Sequence, residues 1–164
     1  MLRLSSRAAL EELSQTNKYV FHGSQNGELA QLRPTDSGSK RYNTVTGEVS
    51  TAEKCVYATA DLDLAIFIAT IWRRIGASGW STNGITEDSV EFKFHASELA
   101  IKEASKPSNL GFVYVLDKNH FKRDLQNPYE LISTSAVEPY ALVKVTAYDL
   151  RPDFRTLTSP PEMS

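Results

Sequence analysis

Near the start of the chain, Ala8, Ala9, Leu10 and Leu13, with Leu4 before them, recur at three-to-four spacing while Glu11 and Glu12 stand opposite. That rhythm predicts a short helix from Ser5 to Ser14. The run Tyr19-Val20-Phe21-His22 is too short for a helix and predicts a strand from Lys18 to Ser24, with Gly23 marking a bend or a close backbone approach. A second strand is expected from Val56 to Thr59. The clearest helix follows it. Asp61 or Asp63 can cap its start, Leu62, Ala65, Ile66, Ala69 and Trp72 form its apolar face, and Arg73-Arg74 suit the negative end of its dipole. Further strands are expected at Ser89–Phe94, Leu99–Glu103, Gly111–Leu116, Glu130–Thr134 and Tyr140–Tyr148.

Between these elements the pattern lapses twice. Residues 34–52 are rich in Gly, Ser, Thr and Asp, and a loop of that length in a compact domain points to a binding loop or a disordered excursion. Residues 76–87 read as a second loop carrying Trp80. Helices early and strands late suggest an α+β domain built on antiparallel sheets rather than a doubly wound parallel one. At 164 residues the chain suits a single domain, expected over 1–151, with a flexible tail over 152–164.

Composition narrows the classes. Apolar residues make up 41% and charged ones 23%, which fits a folded globular protein. A formal charge of −2 argues against gripping nucleic acid through phosphates alone, though a nucleotide or a single-stranded end remains open as substrate. Cys55 is the single cysteine, so no internal disulfide can form, and its apolar setting suggests a buried thiol rather than a nucleophile. No stretch approaches the roughly 20 apolar residues that span a bilayer. Met1-Leu2-Arg3-Leu4 is too short for a signal-peptide core, so a cytoplasmic location without membrane partners is expected. His95 and His120 lack partners at metal-ligand spacing, and no metal is expected. Phosphate-binding glycine loops and the Gly-x-Ser-x-Gly elbow are absent.

The candidate chemistry lies on three of the expected strands. Phe21-His22-Gly23-Ser24 is followed some 35 positions later by Val56-Tyr57-Ala58, and then by Glu130-Leu131-Ile132-Ser133-Thr134 with Leu142-Val143-Lys144-Val145 beyond. This set resembles the ADP-ribosyltransferases of the poly(ADP-ribose) polymerase and diphtheria-toxin branch, which carry a His, Tyr, Glu triad on three strands. The resemblance touches residues 19–32, 55–69 and 129–146. It implies two packed antiparallel sheets forming a split cleft, with NAD as substrate lying across the strands of His22 and Tyr57. The activity it implies is transfer of a single ADP-ribose unit to a protein or nucleic-acid acceptor, with release of nicotinamide. The short gap between Tyr57 and Glu130 is closer to a compact bacterial or phage-type transferase, toxin-like in scale.

Residue by residue, the resemblance gives His22 a hydrogen bond to a ribose hydroxyl, with the ring as donor. Gly23 would clamp the nicotinamide carboxamide through its backbone, where a Cβ would obstruct approach; the alternative is a bulge. Ser24 would add a hydroxyl contact or serve as a turn residue. Tyr57 would lay its ring on the pyridinium, or pack as a core aromatic. Glu130 would stabilise the positive charge that develops at the anomeric carbon. Glu138, next to Pro139, is the competing carboxylate. The polymerases place a Ser and a second Tyr on the helix after the strand tyrosine; here Leu64-Ala65-Ile66-Phe67-Ile68 has neither, leaving Phe67 as the ring to stack. Ser133-Thr134-Ser135 resembles the cholera-toxin branch but lacks its Glu-x-Glu pair. Two other readings stand beside the transferase: an inactive NAD- or ADP-ribose-binding module of the same fold, and an RNA 2′-phosphotransferase type, which the acidic charge disfavours.

Overall fold

The computed structural model describes residues 1–34, 40–42, 49–51, 54–72, 75–85, 90–124 and 129–158. Its centre is a four-stranded sheet in the order β1 (Leu2–Ser5), β11 (Ala141–Val145), β8 (Gly111–Asp117), β2 (Tyr19–Ser24). Three of these run antiparallel, whereas β1 lies parallel to β11, with Leu2 opposite Ala141. The opening residues are therefore a strand, which the alternation Leu2-Arg3-Leu4-Ser5 is too short to announce. A second sheet has the order β5 (Val56–Ala58), β10 (Leu131–Ser133), β9 (Lys122–Arg123). Two hairpins complete the α+β domain: β3 (Lys40–Tyr42) with β4 (Val49–Thr51), and β6 (Ser78–Ile85) with β7 (Val90–Ala96).

Helix α1 (Arg7–Gln15) ends where Asn17 takes a left-handed φ of 55°, a conformation asparagine tolerates. Helix α2 (Leu62–Thr70) starts at Asp61, whose carboxylate accepts from the Leu64 amide at 2.9 Å. Its sequence is apolar on nearly all sides, and such a helix is stable only when covered. Leu64, Ala65, Ile66, Phe67 and Ala69 are indeed fully buried. They lie over one face of the central sheet, against Phe21, Val113, Val115 and Val143. Arg7 bonds Glu11 of its own helix at 2.8 Å and ties α1 to α2 through Asp63 at 2.5 Å.

The other face of the central sheet carries Val20, Tyr114, Leu116 and Leu142. These pack against Val56, Ala58 and Leu131 of the smaller sheet, with Leu32 and Val137 alongside. The two sheets thus cover one another, and their edges are joined by the Phe21–Thr59 backbone bridge.

Several expectations need correction. Residues 99–103 are not a strand: α3 (Glu98–Ala104) forms because the Ser97 hydroxyl caps the Ala100 amide and the following residues favour helix. Residues 78–85 are not loop but strand β6, with Trp80 paired to Phe94. The segment after Pro152 is not frayed as far as Thr158. Phe154 is buried with its ring edge-on to Tyr148, and the Ala96 amide donates to the Thr158 carbonyl at 2.9 Å. Arg73-Arg74, residues 159–164 and most of the 34–52 loop lie outside the described residues; its described parts are β3 and β4. No helix among the described residues is long and apolar enough to cross a membrane.

Candidate functional site

The bridge between β2 and β5 sets the geometry. Phe21 and Thr59 exchange two backbone hydrogen bonds of 2.8 Å each. Antiparallel register would next pair Gly23 with Tyr57, yet the ladder stops after one bridge. The Tyr57 carbonyl instead accepts from the His22 imidazole, Nδ1 to O, at 2.6 Å. His22 thus occupies the position where the ladder would have closed, and the two strands splay beyond it.

The consequence falls on Gly23. Along β2, the residues that point their peptide groups toward β8 alternate with those that point away. Phe21 points away, to Thr59, and Gly23 shares its parity. The Gly23 N–H and C=O therefore face the gap between the two sheets, with no backbone partner among the described residues. An adjacent donor and acceptor on one strand edge match a primary carboxamide, which offers the complementary pair.

Gly23 is glycine for a different reason from the one expected. A Cβ there would point away from the gap, overlap the Ala65 carbonyl oxygen and sit 2.9 Å from the Ala69 nitrogen. Helix α2 crosses β2 at backbone contact, and Gly111 on the neighbouring strand meets the same helix: a Cβ added there would sit 2.5 Å from the Ala69 oxygen.

Around this gap the structure assembles some of the predicted residues and not others. His22, on the inner face of β2 beside Tyr114, retains partial exposure, and burial lowers its pKa, opposed by the Tyr57 bond. Because Nδ1–H is committed to a carbonyl, the neutral ring presents Nε2 as an acceptor, the reverse of the donor role expected. Tyr57 is half-buried on β5, directly opposite Ile132 of β10. Glu130 falls just before β10, which begins at Leu131 rather than at Glu130 as expected. Its carbonyl accepts from the Asp124 amide at 2.9 Å, and alternation continued from Ile132 would put it on the Tyr57 face. By alternation this face is the one opposite Val56 and Ala58, which line the inner core with Val20. The imidazole and the Tyr57–Glu130 pair therefore approach the gap from different sides and do not share one sheet face.

Ser24 is the last residue of β2, opposite Phe112, and its hydroxyl oxygen accepts from the Asn26 amide at 3.0 Å as the chain leaves the strand. Phe67 cannot stack on a ligand. It is fully buried, stacked on Phe94 at 4.7 Å between ring centroids, with Trp80 edge-on at 6.3 Å. Glu138 is exposed in the connection from β10 to β11, and no register contact joins it to β5. Ser133 is buried and bonds the Ser135 carbonyl at 3.0 Å, closing a turn. Cys55 is buried. No group of three metal-ligating side chains occurs among the described residues.

Sequence reasoning missed Tyr114. It lies opposite His22 on β8 and is fully buried, with its hydroxyl donating to the Asn26 carbonyl at 2.6 Å and accepting from the Leu29 amide at 3.0 Å. Those two bonds pin the 26–29 loop that leaves the gap. A tyrosine in an apolar strand reads as core, and only its partners reveal the second task. A further pair, Ser81 Oγ and His95 Nε2 at 3.4 Å, is no nucleophile and base in working order, because His95 Nδ1 is buried without a partner among the described residues to orient it. No protein-family model, curated protein or solved structure matches the chain.

Proposed function

We propose that this protein transfers a single ADP-ribose unit from NAD to a macromolecular acceptor and releases nicotinamide. The observation that carries the reading is the β2–β5 edge: a Gly23 peptide without a backbone partner among the described residues, beside a histidine whose Nδ1 bonds the Tyr57 carbonyl. A primary carboxamide such as that of nicotinamide would donate to the Gly23 carbonyl and accept from its N–H. The Nε2 of His22 would accept a hydrogen bond from a ribose hydroxyl.

In the reaction, the bond between the anomeric carbon and the nicotinamide nitrogen breaks, and its electron pair leaves with nicotinamide. The carbon gains oxocarbenium character, which the Glu130 carboxylate stabilises electrostatically. A lone pair of the acceptor forms the new bond, and the acceptor proton passes to water. Tyr57, on the same face as Glu130, supplies the aromatic surface that favours a cationic pyridinium.

The test is nicotinamide release from labelled NAD by the wild type and by Glu130→Gln, with NAD affinity measured alongside. A carboxylate that acts mainly in the transition state predicts a loss of turnover of a hundredfold or more, with affinity nearly unchanged. Equal release by the two proteins would remove Glu130 from the mechanism. The burial of Phe67 favours a second reading, a domain that binds NAD or ADP-ribose without turning it over. Affinity without any release in the wild type would establish that one.

A further inference from the structure

We propose that an exposed basic ledge along the turn Lys118–His120 and strand β9 binds single-stranded nucleic acid and delivers it as the acceptor. The inference rests on the transferase reading for the word acceptor, but the surface stands on its own observations. In a chain of formal charge −2, the segment Lys118-Asn119-His120-Phe121-Lys122-Arg123 carries three permanent cations and no carboxylate. Lys118, His120, Lys122 and Arg123 are all exposed. Lys18 joins them from the start of β2, its carbonyl accepting from the Lys118 amide at 3.1 Å. None of Lys18, Lys118, Lys122 and Arg123 has an ion-pair partner among the described residues. The Lys118 ammonium bonds only the neutral Asn17 amide oxygen, at 3.2 Å. The nearby Asp117 carboxylate is engaged by the Asn119 amide at 2.9 Å.

Lys122 and Arg123 point to opposite faces of β9, but β9 is an edge strand and both are exposed. A ligand with repeating negative charge that follows this edge can therefore meet both, and two further features select a strand of nucleotides over an acidic peptide. Tyr19 and Tyr140 stack at 4.8 Å with planes 19° apart at the Lys18 end, and Tyr140 is 44% exposed. That is a platform on which an unpaired base can continue the stack. The ledge is also in register with the candidate site. Lys122 lies opposite Ile132, and Ile132 opposite Tyr57, so the three form one row across the smaller sheet and share a face. At the usual strand spacing, the Lys122 backbone is about 10 Å from that of Tyr57. A strand whose phosphates rest on the ledge would bring a base or a terminus to the Tyr57–Glu130 face.

The experiment is fluorescence anisotropy with a labelled single-stranded oligonucleotide, titrated at 50 and 200 mM salt. Four phosphate contacts predict a salt slope of about −2.8, a roughly 50-fold loss of affinity over that range. The pair Lys122→Ala and Arg123→Ala removes two contacts and should lower this to about sevenfold. Lys18→Ala with Lys118→Ala, on a different segment, should do the same; unchanged melting temperatures confirm that both variants fold. Absence of binding by the wild type, an unaltered salt slope in both variants, or equal competition by poly-glutamate would overturn the proposal. Nicotinamide release with water as acceptor should be unchanged in the variants. Oligonucleotide binding by a protein that never releases nicotinamide would sink the transferase reading and leave the ledge standing.

Discussion

Replacing Gly23 by alanine puts a methyl group where the backbone of α2 already lies. The added Cβ would overlap the Ala65 carbonyl oxygen, sit 2.9 Å from the Ala69 nitrogen and 3.1 Å from the Ile68 Cβ. Two of these neighbours are main-chain atoms in mid-helix, so no side chain can swing aside and the helix itself must lift. Overpacking of this kind costs about 1–3 kcal/mol, and a main-chain obstacle places Gly23→Ala near the upper end. For a domain of this size, about 3 kcal/mol lowers the melting temperature by roughly 6–12 °C. Gly79→Ala is the matched control. It also sits in a strand, but nothing lies within 4 Å of its added Cβ. There alanine should be neutral or stabilising by up to about 1 kcal/mol, because it narrows the unfolded ensemble. Thermal melts of the three proteins decide the matter. A Gly23→Ala melt within two degrees of wild type would refute the close seating of α2, and with it the physical reason given for this glycine.

Tyr114→Phe leaves the Leu29 amide and the Asn26 carbonyl without their partner and should cost about 1–3 kcal/mol in urea denaturation. A wild-type midpoint would mean the 26–29 loop is held by other contacts. Burial keeps the His22 imidazole below its ordinary pKa, so the unfolded chain protonates at a higher pH than the folded one. The stability this confers is present at neutral pH and is lost as the pH falls below about 6.5. Melts at pH 7.5 and 5 should show a smaller drop for His22→Asn than for wild type; equal drops would acquit His22. Phe154→Ala empties a buried site in the C-terminal segment and should cost about 3–5 kcal/mol, a value that a dangling tail could not produce in a melt.

The elements that the sequence makes plain are those whose local signal and tertiary setting agree. Strands β2, β8 and β11 and helix α2 announce themselves through apolar runs, and Asp61 caps α2 as its position suggests. The errors come from segments whose state is decided at a distance. Leu2–Ser5 becomes a strand only because β11 offers it an edge, and Ser78–Ile85 only because β7 lies opposite. Residues 98–104 carry too little apolar periodicity to outweigh two alternating positions, Leu99 and Ile101, and the Ser97 cap is the local signal that marks the helix. At the site, His22 and Tyr57 were legible as a spaced pair, but not that the imidazole meets a main-chain carbonyl rather than the phenol. The burial of Phe67 is not legible, because helical spacing alone does not tell an inward ring from an outward one on a helix covered on nearly all sides. The basic ledge escaped a net charge taken over the whole chain, which averages away a cluster confined to one turn and one short strand.

Gly23 faces two ways at once, and this ties rigidity to occupancy. Its missing side chain lets α2 settle against β2, while its peptide group borders the opening toward β5. A molecule gripping that peptide would stiffen the strand beneath the helix. The measurable echo would be slower amide hydrogen exchange along Ala65–Thr70, in residues the molecule never touches.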